Sequence, residues 1–332
     1  MHVSRLNRLR RVLGRAFGLA SLLVLGAGDA LAQGAAGPVL KPLTQYHLES
    51  WQTRDGLPTN GIRALAQDAE GFLWLGTEAG LVRFDGVEFR TFDRNSTPAL
   101  KANDVTALYV DNVNRLWIGT DDGAVLRRRD GAFEEFSQVR LSGPISAFHQ
   151  DQRGVIWVAG GDSVGRVSEN TLVLMRGSVD TIASIYEDAN GALTLGTYGP
   201  LGRIEDDMVR PDVEGPEDVQ AALRQADGTL WQALPKGLRR TGGGHPDRLF
   251  TTADGLPSPD VRALRLDRRG GLWIGTTAGV ARLVGDRLVA RTALRDADYE
   301  GLSVTALLED AEGGIWVATR NGGLYKFRDD RA

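Results

Sequence analysis

The 332-residue chain has no cysteine. That excludes a disulfide framework, thiolate metal sites and a cysteine nucleophile. Histidine is scarce. His47, His149 and His245 fall in different segments and share no metal-ligand spacing. There is no Gly-x-Ser-x-Gly elbow, Walker loop or EF-hand loop. The stretch "DNVNR" at 111–115 has Val113 where a calcium loop needs an oxygen ligand. Long apolar helical periods are also missing. No catalytic residue, metal or cofactor is therefore expected.

Glycine is abundant, at 42 residues. Short apolar runs recur between Gly and Asp, a pattern of strands and tight turns rather than helices. The N-terminus is a separate object. Arg5, Arg8, Arg10, Arg11 and Arg15 precede an apolar run at 16–28, and "ALA" at 30–32 is a small-x-small cleavage site. Residues 1–32 read as a secretory signal peptide. The apolar run falls short of the roughly 20 residues a transmembrane helix needs. Removing 1–32 leaves 34 basic and 42 acidic side chains, a net charge of −8. An acidic exported chain is a poor partner for nucleic acid or anionic lipid. No second apolar span follows, so no membrane span is expected in the mature chain.

A repeat dominates the rest. "IRALAQDAEGFLWLGT" from Ile62 aligns without gaps, as far as its Trp position, to six further stretches. These start at Val105, Ile145, Ile182, Val219, Val261 and Val304. Successive starts differ by 37 to 43 residues, the period of a four-stranded β-propeller blade. In five of the seven units a short first strand ends at Asp, followed three residues later by Gly, as a type I turn prefers. Repeat two has Asn114 at the Gly position, and Asn is the next most tolerant of positive φ. These repeated Asp residues read as structural rather than catalytic. The second strand carries a Trp large enough to pack blade on blade. A Gly-ended turn, a third strand such as "GLVRF", a further turn and a fourth strand such as "EFRTF" complete the unit.

Repeat seven stops after its third strand. "QYHLESW" at 45–51 stands at a fourth-strand position, because the following "DGLP" and first strand keep the spacing seen after Phe250. It is expected to pair with the last blade and close the ring, since an open propeller would expose two edges. The fold expected is all-β: one seven-bladed propeller over 45–328, four antiparallel strands per blade, after a signal peptide at 1–32 and a linker at 33–44.

The run "DGLPTNGIRALAQDAEGFLWLGTEAGLVRFDG" resembles the two-component regulator propeller repeat, in "GLP", "D-x-x-G-x-LW-I-GT" and "G-L-x-R-F", in order and spacing. The resemblance covers almost all of the mature chain. It implies the periplasmic sensor region of a bacterial hybrid histidine kinase or membrane diguanylate cyclase. Members of that family typically continue into a β-sandwich, a transmembrane helix and a cytoplasmic output domain. The given sequence stops at the propeller, which reads as a truncated receptor or a stand-alone ligand-binding subunit.

Two places break the repeat. Repeat four has Thr194 for Trp and "YGPLGR" at 198–203. Repeat five has Gln225 for Asp and "QALPKGLRR" at 232–240. Repeat decay accounts for both, but a ligand pocket must also break seven-fold sameness. Tyr198, Arg203 and Lys236 are the natural contacts of such a sector. The loops before each first strand form a second candidate surface, carrying Asn60, Asn103, Asp104, Asp260 and Tyr299 on one rim of the channel. Asn and Asp with aromatics suit an oligosaccharide or another small polar molecule. His149 aligns with Tyr109 and Tyr186 within a first strand and reads as packed or rim-facing.

The leading expectation is an exported, periplasmic, non-catalytic ligand sensor that signals through a partner or by homodimerisation. The alternatives are a propeller lyase or glycan hydrolase, which needs convergent His, Glu or Arg at one channel mouth, and a protein-binding scaffold.

Overall fold

The structure is a computed structural model. It describes residues 41–187, 191–292, 294 and 302–329, with 213–217 as backbone only. The expected signal peptide lies outside the described residues, as do Asp188 and Tyr299.

Seven four-stranded antiparallel sheets follow one another along the chain. Blade I comprises Ile62–Gln67, Leu73–Thr77, Gly80–Phe84 and Phe89–Phe92. The first strands of blades II to VII are Val105–Val110, Ile145–Gln150, Ile182–Glu187, Ala221–Arg224, Val261–Leu266 and Val304–Glu309. The seventh sheet is completed by β1 (His47–Trp51), which pairs with β28 (Leu324–Arg328) from His47↔Arg328 to Trp51↔Leu324. The expected closing strand is present. It begins two residues later than expected, because Leu43–Gln45 form a 3-10 turn.

The turn chemistry follows the sequence reading. In blade I the Asp68 carboxylate accepts the Glu70 and Phe72 amides, at 3.1 and 2.9 Å. Gly71 then turns at φ +90°. Asn114 does the same at φ +61°. The glycine inside the second strand has a different cause. A Cβ on Gly119 would lie 2.4 Å from the Ile145 side chain, so the first strand of the next blade can seat only against a bare backbone there.

The core is divided into slabs between blades. Each Trp sits between its own blade and the next: Trp74 against Val105 and Ile118, Trp117 against Ile145 and Val158, Trp273 against Val304 and Val317. Burying such a side chain contributes a few kcal/mol. Thr194 breaks the series. The buried apolar cluster between blades IV and V contains only Leu201, Val219 and Leu234 among the described residues.

The cation opposite each Trp is a regular feature that sequence reading passed over. Strand pairing sets Trp74 against Arg83, Trp117 against Arg127, Trp157 against Arg166, Trp231 against Arg240, Trp273 against Arg282 and Trp316 against Lys326. Arg282 and Lys326 reach the turn Asp of their own blade, each at 2.7 Å.

The candidate site at the channel mouth

The first strands ring the channel, and their starts meet at one end. There they enclose a cavity of about 540 Å³ to which all seven blades contribute. Its wall follows one position, the second residue of each repeat: Arg63, Thr106, Ser146, Ala183, Gln220, Arg262 and Thr305. This is the second residue of the first strand in every blade but V, where Gln220 immediately precedes the strand. The scaffold repeats here while the side chains do not. Beside them stand the residues that follow the second strand, including Glu78, Tyr198 and Arg320. Ile62, Ile145, Ile182 and Val304, all buried, form an apolar floor.

Two of the hydroxyls are partly committed to holding the ring. Thr106 Oγ1 donates to the Ile145 carbonyl at 2.7 Å, and Thr305 Oγ1 to the Ile62 carbonyl at 2.6 Å. Each spans a blade junction and keeps acceptor lone pairs for the cavity. The arginines differ in commitment. Arg63 pairs with Asp104 at 2.8 Å, and Arg262 pairs with Asp260 at 2.6 Å. Gln220 Nε2 also reaches Asp260, at 3.3 Å. Arg262 Nε is buried with no hydrogen-bond partner. Arg320 is exposed, and its guanidinium has no partner among the described residues. Burial pushes the Asp104 carboxyl above its ordinary value; Arg63 opposes this, while Asp121 and Glu78 add to it.

The sequence-derived candidates scatter across this frame. Tyr198 lines the cavity and is 51% exposed at its lip. Asp104 and Asp260 stand just behind the wall as ion-pair partners of two lining arginines. Asn60 and Asn103 use their side chains within loops, accepting the Thr53 and Arg94 amides at 3.0 and 2.9 Å. Lys236 is exposed in the turn between the second and third strands of blade V. Arg203 pairs with Asp212 at 2.8 Å and lies opposite Thr194. It is the blade IV copy of the cation that faces Trp elsewhere. Sequence reading missed Arg63, Arg262, Arg320 and the polar ring. For Arg63, Arg262 and the polar ring the signal was in the alignment, as the variable second column of the repeat, whereas Arg320 follows the second strand and lies outside that column.

A second cavity, of about 520 Å³, lies at the opposite ends of the first strands of blades III to V. His149, Glu187, Tyr186 and Arg224 line it. His149 Nε2 lies 3.6 Å from a Glu187 carboxylate oxygen. Burial pushes the imidazole below its ordinary range, against the pull of Glu187 and Asp151. Among the described residues no three His, Asp or Glu side chains gather to hold a metal.

The family model described as two component regulator propeller matches residues 56–79, 99–122, 255–278 and 298–321. Those four segments match the two-component regulator propeller repeat. They take in the first two strands of blades I, II, VI and VII, and with them Arg63, Arg262 and Arg320. No curated protein matches the chain in sequence. Among solved structures, it is similar to the extracellular domain of what is described as a hybrid two component system of B. thetaiotaomicron. That match has a TM-score of 0.72 at 20% identity over 85% of this chain and 42% of the other. A second B. thetaiotaomicron extracellular domain, from a system described as one component, gives 0.67 at 18% over 86% and 40%. Virginiamycin B lyase from Staphylococcus aureus gives 0.67 at 13% over 86% and 99%. At these identities the likeness establishes the propeller fold. The chain spans about two-fifths of the two B. thetaiotaomicron chains. Among the described residues no helix is long and apolar enough to cross a membrane.

Proposed function

We propose that the chain is the ligand-binding propeller of a bacterial signal-transduction system. It is exported by the segment at 1–32, acts in the periplasm and is non-catalytic in itself. The single observation that carries this reading is the cavity at the channel mouth. All seven blades build it, yet its wall varies at the one column where the scaffold leaves choice. A small polar molecule or oligosaccharide fits the mixture of hydroxyl, amide and guanidinium groups over an apolar floor. Occupancy would be passed on through changed docking to a signalling partner or changed dimerisation. The kinship of the repeat with extracellular domains of two component systems supports that output. The test is a thermal-shift screen of sugars and small metabolites, repeated on Ala183→Trp, which plugs the cavity wall. Stabilisation that disappears in Ala183→Trp is the expected result. Ligands that stabilise both proteins equally would move the site elsewhere.

One observation favours an acid–base enzyme instead. His149 and Glu187 meet in the lower cavity with Arg224 beside them, the kind of convergence a lyase or hydrolase needs. Turnover of a glycan or lactone that is abolished in His149→Gln would establish that reading.

A further inference from the structure

We propose that the ligand of the channel mouth is a polyhydroxylated carboxylate, a sugar acid, with Arg320 as the residue that reads its acid group. The inference rests on the channel-mouth reading and narrows its ligand class.

Charge is the first argument. The chain beyond residue 32 carries a net −8, yet the cavity is lined by Arg63, Arg262 and Arg320 against the single carboxylate of Glu78. Asp104 and Asp260 behind the wall balance Arg63 and Arg262, but the lining itself still presents guanidinium groups, and a concave site with low-dielectric walls strengthens their pull on an incoming anion. Position is the second. The three arginines come from blades I, VI and VII, which are consecutive around the closed ring. They form one cationic arc rather than a dispersed scatter. Commitment is the third. Arg63 and Arg262 are braced by Asp104 and Asp260, which fixes their guanidinium planes and tempers their charge. Arg320 carries full charge with no protein partner among the described residues, and the planar fork of a guanidinium matches a carboxylate in two-point contact.

The rest of the wall explains why the acid should be hydroxylated. Away from the arc the lining is Thr106, Ser146, Thr181 and Gln220, which offer neutral donors and acceptors to hydroxyl groups. Tyr198, exposed at the lip on blade IV, presents a ring face on which a pyranose can stack. An anion without hydroxyls would leave that half of the wall unmatched, and a neutral sugar would leave Arg320 unpaired.

Isothermal titration with galacturonate, glucuronate and gluconate, each against galactose, glucose and glucitol, tests this. At least one acid should bind at least about tenfold more tightly than its neutral counterpart, with affinity falling as salt rises. Arg320→Gln should remove most of that preference while leaving the melting temperature nearly unchanged, because the side chain is exposed and pairs with no carboxylate among the described residues. Equal binding of acid and neutral forms, or an acid preference intact in Arg320→Gln, overturns the assignment. If the neutral forms then lose binding in Ala183→Trp, the channel-mouth reading survives without the acid. If none of the six compounds binds, the assignment of a sugar acid fails. If binding persists unchanged in Ala183→Trp, the channel-mouth reading fails with it.

Discussion

The indole N–H of Trp117 donates to the carboxylate of Asp111 at 2.8 Å, six residues back along the chain. This bond ties the turn after the first strand to the side chain that packs blade on blade. Trp74–Asp68, Trp157–Asp151, Trp273–Asp267 and Trp316–Asp310 repeat it, at 2.7 to 3.1 Å. In blade V the acceptor is Gln225 Oε1, at 2.9 Å from Trp231 Nε1. The Asp-to-Gln change in repeat five therefore preserves the bond and drops the charge. Arg240, with Gln225 where other blades place the turn Asp, pairs instead with Asp286 of blade VI at 2.5 Å.

Truncating these acceptors should then give unequal losses. Asp310 is 1% exposed and holds the Gly314 amide, the Trp316 indole and the Lys326 ammonium. Asp310→Ala leaves the partly buried Lys326 ammonium unpaired and the Gly314 and Trp316 donors without their acceptor, and should cost about 3–5 kcal/mol. Gln225→Ala removes one neutral hydrogen bond and should cost about 1–2 kcal/mol. Urea denaturation of the two variants checks the ranking. Equal losses would mean that the ion pair adds nothing to the turn.

How much of this was legible follows from what repeats. The blade count, the four strands per blade, the turn glycines and the closing strand recur in sequence, so alignment exposes them. Arg203 shows the limit. It looked special beside Thr194, yet it continues the column of Arg83, Arg127, Arg166 and Arg282, and only strand pairing reveals that column. The cavity wall was missed for the converse reason. Arg63 and Arg262 sit in strands read for their apolar positions, and nothing local says that seven such positions converge. Asn60 and Asn103 were sought as contacts because rim loops bind ligands. The same side chains are also what loops use to satisfy their own amides.

Ring closure rests on Trp51. Its ring lies 5.1 Å from Trp316 and 5.4 Å from Phe84, joining the closing strand to blades VII and I. Trp51→Ala should destabilise by about 3–5 kcal/mol. It should also promote association, because a loosened β1 uncovers the edge of β28. Denaturation and light scattering together test this. A variant that loses stability yet stays monomeric would show that the strand stays paired without its tryptophan.

His149 gives stability a pH dependence whose sign can be worked out. Burial holds its folded-state affinity for protons below the ordinary value of 6.5. The unfolded chain therefore binds more protons, and stability rises with pH through that window. The contribution is present above the ordinary histidine range and is lost as pH falls through it. Between about pH 7.5 and pH 5.5 the wild-type melting temperature should fall more than that of His149→Gln. Parallel curves would show that His149 is not responsible.

The blades are also clasped at the lower ends of their first strands, and among the described residues the clasp is incomplete. The amide after the turn Asp donates to a side chain of the next blade: Ala311 to Gln67, Ala69 to Asn114, Asn112 to Gln150, Gln152 to Glu187 and Arg268 to Glu309, at 2.8 to 3.2 Å. The acceptor position of blades I, III, IV and VII is held by Val110 in blade II, where Asn114 of the turn accepts instead, by Arg224 in blade V, which can only donate, and by Leu266 in blade VI, which can do neither. Among the described residues the junction between blades IV and V also has the smallest apolar cluster, with Thr194 where other blades have tryptophan. Fewer buried contacts and fewer bonds across one seam lower the free energy of opening there. Amides of Ala221–Arg224 should therefore exchange with solvent faster than those of Val105–Val110 in hydrogen-exchange mass spectrometry. Restoring an acceptor in Arg224→Gln should slow them, while leaving blade II unchanged. Uniform protection around the ring would show that the remaining contacts hold this seam as firmly as the others.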